Sequence, residues 1–178
     1  MLLRIGCLAI CLFTNVAWGK YASYKTYAGT VSLDLSANWI VTKNIWGLPL
    51  SFLGPMQTDG TRAALTIIGA KEKHTPIADI SPKGAEIALK EYKAERTQWL
   101  SQKQATSLQY LPVEERKLEQ GKMLVLGHVY EKRSRRYTQL TFKVLCQKQY
   151  YHAVALVPAT SESYLGGIHT MMNGLKCL

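Results

Sequence analysis

The segment from Tyr137 to Pro158 constrains the fold more than any other part of the sequence. Two runs rich in β-branched and aromatic residues flank Gln147-Lys148-Gln149, a pattern that predicts a tight antiparallel β-hairpin. A turn centred on Lys148-Gln149 would place Cys146 opposite Tyr151. One face of the hairpin would then be apolar, with large side chains facing small ones: Leu140, Phe142, Val144 and Cys146 against Tyr151, Ala153, Ala155 and Val157.

The first nineteen residues have the pattern of a secretory signal peptide. Arg4 supplies a positive start, an apolar run extends from Ile5 to Val16, and Ala17-Trp18-Gly19 ends in small residues. The apolar run is too short to span a bilayer as a stable helix. We therefore expect a signal peptide over residues 1–19 and one mature domain over residues 20–178, located in the periplasm or secreted. An uncleaved N-terminal anchor is the alternative.

The cysteines agree with export. Removal of residues 1–19 would leave 159 residues, enough for a domain with its own core, and two cysteines, Cys146 and Cys177. An even pair of cysteines in an exported protein predicts a Cys146–Cys177 disulfide. On the chain-entropy model such a bond stabilises the fold by about 3–4 kcal/mol. The alternative is two buried free thiols.

The mature chain would be strongly basic, with a net charge of +9. Outside the cytoplasm, anionic lipid headgroups, lipopolysaccharide and cell-wall polymers are more available than nucleic acid, so we expect no nucleic-acid partner. The densest basic cluster lies between Tyr130 and Tyr137. Its members are Lys132, Arg133, Arg135 and Arg136.

This basic cluster has two interpretations. Projecting from one side of a turn, its guanidinium groups could grip a phosphate-bearing surface through paired hydrogen bonds. Alternatively, it is a solvated turn that keeps the protein soluble and its sheet edge unpaired.

Trp46 is a second candidate for an interaction residue. Its loop could expose it, and Trp is enriched at interface hot spots. A buried loop Trp is the competing interpretation.

The order of elements indicates an α+β domain. Strand patterns such as Thr30 to Leu35 arrive in runs, and Ser81-Pro82 opens an amphipathic helix that continues to about Gln104. A last helix is expected from about Ser161 to Asn173. Strands that arrive in runs rather than alternating with helices favour an antiparallel sheet.

In its order of motifs the chain resembles the PsbP/DcrB-like family. The resemblance covers residues 29–177 and rests on GTVSLDLSANWIVTKN, GLPLSFLGP, RAALTIIGA, the amphipathic helix, and a terminal YYHAVALVP followed by MMNGLKC. It implies a central antiparallel sheet with helices on both sides, an α/β/α sandwich, with Trp39 anchored in the core. Members are mostly non-enzymatic: the photosystem II extrinsic subunit stabilises a larger assembly, bacterial relatives are periplasmic, and a nuclear member binds a small GTPase. None of their functional residues matches a position in this chain.

No catalytic, cofactor or metal motif accompanies these patterns. The four histidines, His74, His128, His152 and His169, form no HExxH motif and no HxH pair. We therefore expect no enzyme, no cofactor and no metal, and a monomer without a transmembrane segment in the mature chain. The function predicted is an exported binding or assembly-accessory protein of the bacterial envelope, docking on a protein or an anionic envelope partner. The alternative is a periplasmic small-molecule-binding or hydrolytic protein whose site the sequence does not reveal.

Overall fold

The computed structural model describes residues 20–25, 29–35, 38–43, 50–70, 82–146 and 149–178. The predicted signal peptide and Trp46 lie outside these residues. The strands are β1 (Lys20–Lys25), β2 (Thr30–Leu35), β3 (Ile40–Thr42), β4 (Leu50–Leu53), β5 (Ala64–Ala70), β6 (Thr106–Tyr110), β7 (Glu114–Leu118), β8 (Gly121–Lys132), β9 (Arg135–Cys146), β10 (Gln149–Pro158) and β11 (Lys176–Cys177). The helices are α1 (Pro82–Gln102) and α2 (Leu165–Asn173), and a 3-10 helical segment, Ala159–Tyr164, precedes α2. Within the described parts of the chain, no helix is long and apolar enough to cross a membrane.

The strands form two antiparallel sheets. The large sheet has the order β3-β4-β5-β10-β9-β8-β6, and β7 also pairs with β8. The small sheet has the order β1-β2-β11, so its strands come from opposite ends of the described chain. The predicted antiparallel α+β class is confirmed.

The hairpin of β9 and β10 is present, but its predicted register is wrong. Cys146 pairs with Gln149 rather than Tyr151, and Tyr151 pairs with Val144. The ladder is therefore shifted by two residues from the prediction. Because side chains alternate with a period of two, this shift leaves every side chain on its predicted face. The alternation of apolar residues therefore predicts the face on which each side chain lies, but not which residues pair across the hairpin.

The large sheet is covered differently on its two faces, which corrects the predicted α/β/α sandwich. Its apolar face, which includes the fully buried Phe142 and Ile67, packs against α2 and the small sheet, including Val31 and Leu33 of β2. The other face receives α1, which packs on β8 and β6. The physical reason is length: the nine residues of α2 extend only about 14 Å, so the small sheet covers what the helix cannot. The predicted anchor Trp39 is buried at 9% exposure and packs edge-on against Tyr164.

The turn between β8 and β9 is tight and highly charged. Lys132 pairs with Arg135, so Arg133 and Ser134 alone connect the strands. Both have positive φ, 51° and 57°, as the two central residues of a type I′ turn require. This left-handed conformation is unfavourable for residues with a Cβ, and Asn-Gly is the sequence that the turn prefers. Arg133 and Ser134 therefore occupy two positions where Asn and Gly would adopt the required conformation with less strain.

We expect Ser134→Gly to stabilise the protein. Glycine adopts the left-handed conformation without a Cβ clash, which should raise the free energy of unfolding by about 0.5–1 kcal/mol after its larger chain entropy is counted. For a domain of this size the melting temperature should rise by roughly 2–3 °C. Thermal denaturation followed by circular dichroism measures the change. Ser134→Ala keeps the Cβ and should give no gain; equal melting temperatures for all three proteins would contradict the prediction.

Candidate functional site

A concave surface lies at the tip of the β8–β9 hairpin. It is an open concavity of about 480 Å³, lined by Lys132, Arg133, Arg135 and Tyr137. We call these four residues the basic recess. Three members of the predicted basic cluster therefore line one concavity together with an aromatic residue.

The fourth member of the predicted cluster, Arg136, lies on the other side of the hairpin. Side chains alternate between the faces of a strand, so Arg135 and Tyr137 share the α1 face of the sheet while Arg136 points to the opposite face. There Arg136 is paired across the ladder with Glu131, an opposite charge. The expectation that all four cations share one side is wrong, because it ignored strand alternation on the two sides of the turn.

The basic recess holds its cations close together, and none of them forms an ion pair with a described carboxylate. Lys132 and Arg135 are directly opposite each other in the last pair of the ladder, and like charges in that position repel. Among the described residues no carboxylate lies within 4.0 Å of either cation or of Arg133. The pKa of the exposed Asp59 carboxyl is lowered, first by hydrogen bonds from Thr61 and only last by the charge of Arg135. An anion entering the recess would relieve the repulsion.

A ladder of aromatic rings connects the recess to the interior. The Tyr137 ring stacks on Tyr130 with 5.4 Å between centroids and an interplanar angle of 20°. Tyr130 in turn stacks on His128 at 5.2 Å and 23°, and Trp99 of α1 meets Tyr130 edge-on at 5.5 Å. Such stacked and edge-on contacts fix ring orientation. The Tyr137 ring that lines the recess is thus held against Tyr130, which His128 and Trp99 contact in turn.

The interior end of this ladder is a buried hydrogen-bonded pair. His128 is completely buried, and its Nδ1 lies 2.7 Å from the hydroxyl oxygen of Tyr92 on α1. When Nε2 carries the proton of the neutral imidazole, Nδ1 accepts this hydrogen bond from the Tyr92 hydroxyl. Nε2 has no hydrogen-bond partner among the described residues.

Burial dominates the electrostatics of this pair. It lowers the pKa of His128 to about 4, with a smaller effect of the Arg96 charge in the same direction. Burial raises the pKa of Tyr92 to about 12, although a hydrogen bond with the Thr141 side chain opposes the rise. The Arg96 guanidinium lies over the rings of Tyr92 and Trp99, 5.8 Å and 5.6 Å from their centroids. At neutral pH His128 is therefore uncharged and fixes α1 to the sheet.

The predicted disulfide between Cys146 and Cys177 is confirmed. It joins the end of β9 in the large sheet to β11 in the small sheet. The turn between β7 and β8 reinforces this connection. Oε1 of Gln120 accepts a hydrogen bond of 3.0 Å from the Cys177 amide, and Lys176 forms an ion pair of 3.0 Å with Glu119.

The other residues singled out from the sequence do not converge. Trp46 and His74 lie outside the described residues, and His152 and His169 occupy different elements, β10 and α2. In the ranges that the structure describes, no three His, Cys, Asp or Glu side chains are grouped so that they could hold a metal ion. Sequence reasoning missed the Tyr92–His128 pair, since no motif spacing connects a helix residue to a strand residue of this kind.

Comparison with known proteins places the chain by its fold. No protein-family model matches the sequence, and no curated protein matches it significantly. Among solved structures, LpqN, involved in cell envelope biogenesis of Mycobacterium tuberculosis, has a TM-score of 0.59 and 13% identity over 88% of this chain and 90% of LpqN. Cyanobacterial PsbP from Synechocystis has a TM-score of 0.56 and 11% identity, over 97% of this chain and 100% of that protein. The resemblance inferred from the sequence is therefore confirmed at the level of architecture, and the chain has the PsbP-like fold.

Proposed function

We propose that this chain is an exported, non-enzymatic accessory protein of the cell envelope, which docks on a phosphate-bearing envelope component through the basic recess. The observation that carries the proposal is the convergence of Lys132, Arg133 and Arg135 without a counter-ion among the described residues. Arginine and lysine side chains in this arrangement are suited to phosphate groups.

Two further observations support an envelope role. A disulfide is typical of proteins that fold in oxidising compartments outside the cytoplasm. The similar fold of LpqN, a protein involved in cell envelope biogenesis, points in the same direction by analogy of fold. Binding fits the recess better than hydrolysis does, since its four lining residues supply cations and a phenol but neither a carboxylate nor an imidazole for general acid–base catalysis.

Vesicle binding tests the proposal. The variant with Lys132→Gln, Arg133→Gln and Arg135→Gln should bind phosphatidylglycerol vesicles about 100-fold more weakly than the unmodified protein, since each cation near an anionic surface contributes about 1 kcal/mol. Co-sedimentation at 50 mM salt gives both affinities. Binding of the unmodified protein should weaken steeply with salt, because the screening length falls from ~10 Å at 0.1 M to ~3 Å at 1 M.

The chain provides a matched control for this experiment. Arg136→Gln removes the same charge from the neighbouring position, but from the opposite face of the hairpin, where Glu131 lies across the ladder from it. We expect this variant to bind within about twofold of the unmodified protein. Equal loss of binding in Arg136→Gln and Arg135→Gln would mean that net charge alone attracts the vesicles, and undiminished binding by the triple variant would refute docking through the recess.

A further inference from the structure

The basic recess contains an aromatic ring as well as its cations, and this ring narrows the class of ligand. Tyr137 lines the recess together with the cations, and its ring stacks on Tyr130. Both Tyr137 and the opposed cations Lys132 and Arg135 lie on the same face of the sheet. A ligand in the recess would therefore meet a flat ring and a group of cations at once.

We propose that the recess binds a phosphorylated sugar ring, with the phosphate at the cations and the sugar against Tyr137. This inference rests on the proposed function and specifies its ligand. Aromatic faces carry partial negative charge and attract the partially positive C–H groups of a sugar ring. With a volume of about 480 Å³, the open concavity has room for one sugar phosphate.

The presence of the Tyr137 ring favours a sugar phosphate over phosphate alone. A phosphate without a ring would use the three cations and leave the Tyr137 ring without a contact. This ring stacks on Tyr130, which stacks in turn on His128, so it is preorganised to receive a ligand ring. A nucleotide would also combine a ring with phosphate, but the disulfide indicates a compartment in which phosphorylated sugars of envelope polymers and glycolipids are the more available ligands.

Four soluble probes separate these possibilities in calorimetric titrations of the full chain. Glucose 6-phosphate and glycerol 3-phosphate carry the same charge and differ in the ring, glucose has the ring without the charge, and adenosine monophosphate replaces the sugar contact with a base. We expect glucose 6-phosphate to bind roughly 5-fold more tightly than glycerol 3-phosphate, in line with one aromatic contact, and glucose to bind least. Equal affinities for the two phosphates, or tighter binding of adenosine monophosphate, would overturn the inference.

Variants of Tyr137 assign the preference to its ring. Tyr137→Phe keeps the ring and should keep the 5-fold preference, whereas Tyr137→Leu should reduce it to about one without changing the affinity for glycerol 3-phosphate. Melting curves establish that both variants are folded, and ring-proton shifts of Tyr137 on titration of the unmodified protein report the contact without any substitution. If Tyr137→Leu retains the preference for glucose 6-phosphate, or if the Tyr137 ring protons do not shift, the sugar contact is refuted, although the cations can still bind vesicles. If the triple variant binds vesicles as tightly as the unmodified protein, the proposed function itself is refuted.

Discussion

Removing the disulfide should lower the free energy of unfolding by about 3–4 kcal/mol, the chain-entropy value for a bond between residues 31 positions apart. Cys146→Ala with Cys177→Ala is the appropriate change, since both side chains are almost fully buried and alanine leaves no polar group behind. The melting temperature should fall by roughly 10 °C. The ion pair of Lys176 and the Gln120 hydrogen bond remain, so the fold should persist.

Urea denaturation with and without reductant measures this effect. Reduction of the unmodified protein should reproduce the midpoint of the double variant, and reductant should not change the variant itself. The exposed-serine substitution Ser163→Ala is a suitable control, because it alters a side chain outside the core and should leave the midpoint unchanged. Identical midpoints for the oxidised protein and the double variant would contradict a stabilising role for the bond.

The second large effect is a loss of stability in acid that depends on His128. Its pKa is about 4 in the folded protein, against about 6.5 in an unfolded chain. The unfolded state therefore binds the extra proton first, so stability is complete above pH 6.5 and decreases as the pH falls towards 4. The shift corresponds to about 3 kcal/mol across this window. Protonation would also displace the Tyr92 hydrogen bond at Nδ1 and place a second cation near Arg96.

His128→Gln should remove most of this pH dependence. The amide oxygen can still accept from Tyr92, but the side chain does not titrate. The difference in unfolding free energy between pH 7 and pH 4 should shrink by about 3 kcal/mol relative to the unmodified protein. His169→Gln is the comparison, since the pKa of that partly exposed histidine is lowered in the same direction, mainly by burial. Parallel stability curves for His128→Gln and the unmodified protein would show that His128 does not control the acid response.

The sequence predicted those features that depend on local pattern or on simple counting. The two faces of the β9–β10 hairpin followed from alternation, and the Cys146–Cys177 bond followed because only these two cysteines remain after residues 1–19. The hairpin pairs did not follow, since a shift by two residues leaves the same apolar face. Alternation supports several registers equally well.

Features that depend on the arrangement of distant elements were not predictable in this way. Arg136 lies on the opposite face from Lys132 and Arg135. Predicting this requires knowing that Lys132 pairs with Arg135, a pairing that the two-residue turn determines. The contact between Tyr92 and His128 required the position of α1 on β8, which no periodicity encodes. The small sheet was missed because β11 has only two residues and pairs with a strand from the other end of the chain.

The small sheet also imposes an order on folding. Its central strand β2 pairs along one edge with β1, the strand just before it in the sequence. Along its other edge β2 pairs with β11, which comes only after α2. The β8–β9–β10 meander contains only local pairings and can form early, whereas the pairing of β2 with β11 closes a long loop and is slow on contact-order grounds. In a chain that emerges from its N terminus, one edge of β2 consequently stays open, as a site for mispairing, until β11 has also emerged.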